Sequence, residues 1–208
     1  MSPERQWWLR VPAVLVRPRS VFVALRETSQ DDLDARQEPL LALILLAGIG
    51  GVLSTSTAAS LADSADYDVG LIAVWTFVAG GFYGMAGYFL IGGALYLGAR
   101  GLGSLGDFRR ARQVVAFAAA PLALSLLTLR PVELVLFGRD AFRSGGADAG
   151  AAGTAVTVLE VGFAVWAAAL LLVGTRAVHG WTWARSLGAL ALVALFVAAF
   201  AYAPDVLW

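Results

Sequence analysis

A chain of 208 residues that is 59% hydrophobic, 14% charged and +0.75 in mean hydropathy departs from soluble domains, which run at about 45 to 50% apolar and about 25% charged, and reads as an integral membrane protein. Fifteen basic residues balance fifteen acidic ones, cysteine is absent and His179 is the single histidine, which excludes disulfides and thiolate metal ligands and leaves little for zinc or imidazole catalysis. No metal, no cofactor and no nucleic-acid partner are expected.

The first 38 residues carry six arginines. Arg10, Arg17 and Arg19 interrupt every apolar run that a secretory signal would need, so residues 1–38 are expected to be a retained, membrane-proximal segment. Trp7 and Trp8 are interfacial anchor types. Pro18 to Leu25 predicts a short amphipathic helix lying on the membrane surface, with Ser20 as N-cap and Phe22 and Leu25 turned inward. The acidic run Asp31, Asp32 and Asp34 reads as a solvated linker that ends at Glu38-Pro39, and proline suits a first helical position.

No charge occurs from Pro39 to Ala62, enough for the roughly 20 residues of a spanning helix. This stretch, 39–62, is the first expected span; Ser54 to Ser60 polarise its far end, and Asp63, Asp66 and Asp68 follow. The second span, 70–98, lies in an uncharged run from Val69 to Ala99 that exceeds one bilayer crossing, so the helix tilts or projects. Gly80, Gly84 and Gly87 give it a small-residue face for close helix packing, more within the chain than between copies. The third span, 113–129, holds Pro121 as a kink, and its far end is marked by Arg130-Pro131 and Glu133. A glycine- and alanine-rich loop leads to the fourth span, 154–175. Arg176, His179 and Arg185 define a short return loop before the fifth, 186–204. The expected fold class is therefore all-α: a polytopic membrane protein in which a five-helix domain, 39–208, follows the N-terminal segment and its interfacial helix. Twelve arginines fall on the side of the N-terminus and three on the other, so the positive-inside rule puts the N-terminus in the cytoplasm and the C-terminus outside the cell (inner) membrane.

Charge, glycine and an aromatic concentrate between the second and third spans, from Arg100 to Pro121. Ser104 and Asp107 precede the apolar run as a helix start does. Arg109, Arg110 and Arg112 then crowd the first helical turn, where the macrodipole disfavours cations by roughly 0.3 to 1 kcal/mol each. Phosphates of anionic lipids would offset that, because they bind both the guanidiniums and the free N–H groups of a helix start. Arg109, Arg110 and Arg112, with Phe108 turned to the apolar side, are thus the candidate contact with membrane lipids or with an acidic protein partner at the cytoplasmic face. Gly101, Gly103 and Gly106 spell the Gly-x-Gly-x-x-Gly of dinucleotide sites, but that motif carries meaning only after a strand, and here it follows a run of helical length.

Glu160 is the one carboxylate well inside a span, by default a functional candidate. It lies about six residues, on the order of 9 Å, from the outer end of its helix, with Arg130 near the same level. An intramembrane Arg130 to Glu160 ion pair that lowers the cost of burying both is the first expectation; a proton or solute path is the second. His179 is read as an interfacial hydrogen-bonding residue. No Gly-x-Ser-x-Gly elbow, two-histidine zinc motif or Walker-type loop occurs, so no catalytic residue is assigned. Trp75, Trp166, Trp181, Trp183 and Trp208 suit belt and core positions.

Gly101-Leu-Gly-Ser-Leu-Gly-Asp-Phe108-Arg-Arg followed by an apolar run to Ala120-Pro121 resembles the Yip domain family, the Ypt-interacting proteins. Pro18-Arg-Ser-Val-Phe22 is similar to that family's Pro-x-x-x-Phe segment before the first span, Gln37-Glu38-Pro39 to the start of that span, and Gly174 to Ala184, with His179-Gly180, to the connection between its fourth and fifth spans. The resemblance implies five helices and a cytoplasmic N-terminus. In eukaryotes it implies small Rab-type GTPases and traffic between endoplasmic reticulum and Golgi. Every basic residue here is arginine, and with abundant alanine and glycine this is the composition of a GC-rich prokaryotic genome, so only the fold and a scaffold, adaptor or membrane-organising role carry over. The expectation is a non-enzymatic membrane protein, homo-oligomeric or not; the alternative is a small transporter or permease component with Glu160 on the path.

Overall fold

In lipid the backbone N–H and C=O groups find no partners but one another, so long uncharged runs fold as helices. The computed structural model describes residues 3–28, 37–63, 69–104, 106–138, 141, 143 and 150–207, and among these there is no strand. The helices are α1 (Pro3–Val16), α2 (Pro18–Glu27), α3 (Glu38–Leu53), α4 (Ser56–Asp63), α5 (Val69–Gly101), α6 (Phe108–Ala118), α7 (Ala120–Phe137), α8 (Ala151–His179) and α9 (Trp183–Leu207). Three helical stretches, Gly70–Gly101, Phe108–Phe137 and Ala151–His179, are long and apolar enough to cross a membrane; the bent pair α3 and α4 would add a fourth, and Trp183–Ala199 is a shorter apolar stretch. The acidic run Asp31, Asp32 and Asp34, together with Asp66, Asp68, Arg139, the Trp7 side chain and Trp208, lies outside the described residues.

Local chemistry explains the departures from the expected segments. An additional helix, α1, precedes the amphipathic one. In α2 the N-cap position is Arg17; the Ser20 hydroxyl instead donates to the Arg17 carbonyl at 2.8 Å, which leaves it no capping role. Phe22 and Leu25 are wholly buried. The first apolar run does not form one rod: α3 ends at Leu53 and α4 departs at 62°. Thr55 makes the break, its hydroxyl donating to the Val52 carbonyl at 2.7 Å while accepting the Ala58 N–H at 3.3 Å as the N-cap of α4, an alternative to helix hydrogen bonds that threonine offers. Helix geometry is interrupted again at Ala119, just before Pro121, whose ring cannot share space with the carbonyl four residues earlier. Beyond it α7 continues through Arg130 and Pro131 to Phe137.

The chain divides into two compact units, one of Met1–Leu41, Gly87–Ala118 and Ala168–Trp208, the other of Ala42–Ala86 and Ala119–Ala167. In the first, Phe22 meets Phe117 edge to face at 6.5 Å between ring centres. Gly174 makes room for them, since a Cβ there would stand 2.8 Å from Val114 Cγ1 and 2.9 Å from the Phe22 ring. In the second, α3 and α5 touch backbone to backbone: a Cβ on Gly48 would lie 2.6 Å from the Gly84 nitrogen, and one on Gly80 would lie 2.7 Å from Ile49 Cα. Small residues permit such contact in membranes, where close packing replaces the hydrophobic drive. Gly87, the third glycine of that series, meets nothing within 4 Å. Outward faces carry Phe77 and Phe82 on α5, Val158 and Val165 on α8 and Leu195 on α9, all exposed, apolar surface that lipid rather than water would solvate.

Candidate functional site at the arginine-rich connection

Two helices of the first unit end in the same way. Gly103 at the end of α5 has φ +81° and Gly180 at the end of α8 has φ +64°, left-handed conformations that glycine adopts without steric cost. The Ser104 N–H donates to the Ala99 carbonyl at 3.0 Å and the Trp181 N–H to the Arg176 carbonyl at 3.2 Å, the six-to-one bond of a Schellman motif. These caps turn both exits so that Ser104 and His179 meet, with Oγ and Nδ1 3.0 Å apart. Ser104 Oγ also accepts the Gly106 N–H at 2.9 Å. Gly106 is required here, because a Cβ would stand 2.8 Å from His179 Cε1. Burial, then the guanidiniums of Arg110 and Arg185, hold the His179 imidazole below the ordinary histidine range. In that neutral ring one nitrogen carries the proton and the other accepts. His179 further stacks on Trp181 at 4.5 Å between centres, and Arg185 lies over the same indole at 4.5 Å while donating to the Leu102 carbonyl.

The helix start carries its arginines in three different settings. Asp107 begins α6 with Oδ1 accepting the Arg109 N–H at 3.2 Å. Arg110 Nη2 donates to the Thr28 carbonyl at 3.2 Å, tying the end of α2 to the connection, while its Nε is buried with no hydrogen-bond partner. Arg112 lies over the rings of Phe108 (4.6 Å), Phe89 (4.7 Å) and Tyr88 (5.2 Å), room for it coming from Gly92, whose Cβ would fall 2.5 Å from Arg112 Cγ. Each ring face is worth roughly 0.5 to 2 kcal/mol to a cation, more where water is excluded, so aromatics offset the dipole penalty at Arg112. Phe108 thereby serves an arginine as well as the apolar side. Arg176 rests over Trp183 at 4.4 Å, which gives that tryptophan a defined role.

A second cluster belongs to the other unit. Arg130 Nη2 is 2.5 Å from Glu160 Oε1 and Nη1 is 2.6 Å from Glu133 Oε2, and Nη2 also donates to Ser54 Oγ at 2.6 Å. Glu133 is 3% exposed. One guanidinium thus serves two carboxylates, the kind of charge-assisted bonding that makes burial of Glu133 tolerable, while Glu160 keeps about a third of its side chain exposed. The sequence reading took Glu133 only as a marker of the third span's far end and missed its pairing with Arg130, although the i,i+3 spacing on one helix was available as a signal. It likewise passed over the Ser104 to His179 contact, for which the lone glycines at the two helix ends were the only cue.

A family model described as the Yip1 domain matches residues 13–203. No curated protein and no solved structure matches the chain.

Proposed function

The chain belongs to the Yip1 domain family, and we propose that it acts without enzymatic chemistry as a membrane-organising scaffold or adaptor, through a cytoplasmic face built on Arg109, Arg110 and Arg112. In this reading residues 1–38 form the membrane-proximal segment, residues 39–208 the five-span domain in the cell membrane, and the N-terminus is cytoplasmic. The observation that carries it is the gathering of Arg26, Arg110, Arg176 and Arg185 around the exits of α5 and α8. Such a basic face attracts anionic lipid or an acidic protein surface, at roughly 1 kcal/mol per arginine near an anionic membrane. Arg112, held by its rings, orients Phe108 and the helix start, while Arg109 and Arg110 meet the ligand. Replacing Arg109, Arg110 and Arg112 together by Gln, with Arg100 kept, should reduce retention of anionic lipid by the purified protein at low ionic strength, where screening is least. Unchanged retention in a correctly inserted protein would refute the docking role.

Two carboxylates on one guanidinium favour a second reading, a small permease component with Glu160 on the path. Glu160→Gln would then abolish solute or proton flux in reconstituted vesicles. Under the scaffold reading the same change alters only stability.

A further inference from the structure

We propose that a cavity of about 260 Å³ between the ends of α5 and α8 and the start of α6 binds the phosphate ester of a small anionic headgroup, with Arg110 as its charged contact and the Ser104 to His179 pair as its polar wall. The proposal rests on the reading that this face meets anionic phosphate, and it narrows that reading to one pocket.

Size, lining and charge agree on the ligand. Pockets for drug-sized molecules run at roughly 300 to 1,000 Å³, so this one suits a headgroup. Leu95, Val114 and Val178 supply apolar wall, which accommodates the carbons of an ester rather than a bare ion. Arg110 and His179 also line it; Arg110 keeps its buried Nε–H without an acceptor, and a tetrahedral phosphate has oxygens enough to accept from that N–H and from further donors at once. A carboxylate has fewer. The start of α6 adds helix N–H groups that favour an anion. Around His179 the charged groups are Arg110 from α6, Arg185 from α9, Arg26 from α2, whose Nη1 lies 3.5 Å from the Cβ position of Gly180, and Asp107 before α6. Of these, Arg110 and Asp107 line the cavity, and since that carboxylate already accepts the Arg109 N–H, Arg110 is the charge an anion meets.

His179 is the only histidine, so its titration can be followed in the whole protein without assignment. The protein, labelled with ¹⁵N-histidine in a maltoside detergent, would be titrated by NMR alone, with glycerol 3-phosphate, and with short-chain phosphatidylglycerol, sodium chloride matching ionic strength. A bound phosphate beside the ring favours the imidazolium, so the midpoint should rise by at least about half a pH unit. Arg110→Gln should remove the rise, and Arg19→Gln, the same loss of charge at an exposed position of α2, should leave it. Ser104→Ala, a smaller change, should weaken it if Arg110→Gln fails to fold. A rise with glycerol 3-phosphate identifies a soluble phosphate ester as sufficient; a rise with phosphatidylglycerol alone identifies a lipid headgroup. No rise with either probe overturns the cavity proposal, as does a rise lost equally in Arg19→Gln and Arg110→Gln. In that case retention of anionic lipid by the wild type would show that the broader docking reading survives without the pocket.

Discussion

At His179 burial and two guanidiniums act in the same direction, and the linkage to stability has a definite sign. Because the folded protein holds this proton more weakly than the unfolded chain, whose histidine titrates near roughly 6.5, the unfolded state binds more protons in the interval between the two values. Stability is therefore full above the unfolded value and lost as pH falls through the folded one. Melting temperature in detergent should decline over that interval in the wild type, and the decline should be smaller in His179→Gln, which has nothing there to protonate. The neighbouring arginines illustrate a related point. Arg112 has its charge against three rings and Arg110 has a carbonyl at one nitrogen only, so two cations two residues apart differ in what they can offer a ligand.

Helices in this chain are shaped at single positions. Gly84 lets α5 lie against α3, because a Cβ would stand 3.1 Å from the Ile44 carbonyl carbon and 3.3 Å from Gly48 Cα. Both neighbours are backbone and cannot swing aside. Gly84→Ala should therefore destabilise the protein by about 1 to 3 kcal/mol, the usual cost of overpacking. Gly87→Ala, with open space around it, should be neutral or stabilising by up to roughly 1 kcal/mol through helix propensity. Unfolding of both variants in mixed micelles with increasing dodecyl sulfate measures the difference. Equal effects would show that the backbone contact is not what holds the helix pair. Thr55 and Pro121 act at the same scale by opposite means, one competing for helix hydrogen bonds and the other withholding a donor.

Across the whole molecule, segments far apart in the chain gather into two sets. Thr28, Leu102, Ser104, Arg110, His179 and Arg185 are joined by hydrogen bonds in one unit. In the other, Ser54 and Glu160 meet at Arg130, and Arg143 Nε donates to the Ala62 carbonyl at 3.4 Å. The proposed five-span topology starts with the N-terminus in the cytoplasm. Reporter fusions should accordingly give cytoplasmic signal after residues 36, 106 and 180 and external signal after residues 66, 147 and 208. A cytoplasmic signal after residue 208 would require an even number of spans.

Helix as the fold class and the membrane as the solvent were readable from the residues alone, because long uncharged runs leave the backbone no other way to satisfy itself in lipid. The inward turn of Phe22 and Leu25 was readable too, since helical period ties burial to spacing. The α3 to α4 break was not, because Ser54 and Thr55 suit a helix interior or a cap and only the surrounding geometry selects between them. Nor were the partners of Arg112, Glu133 and His179 fully legible. Sequence shows that a buried charge needs compensation, but whether a ring face, a carboxylate or a hydroxyl supplies it depends on which distant helices the packing brings within about 3 to 5 Å.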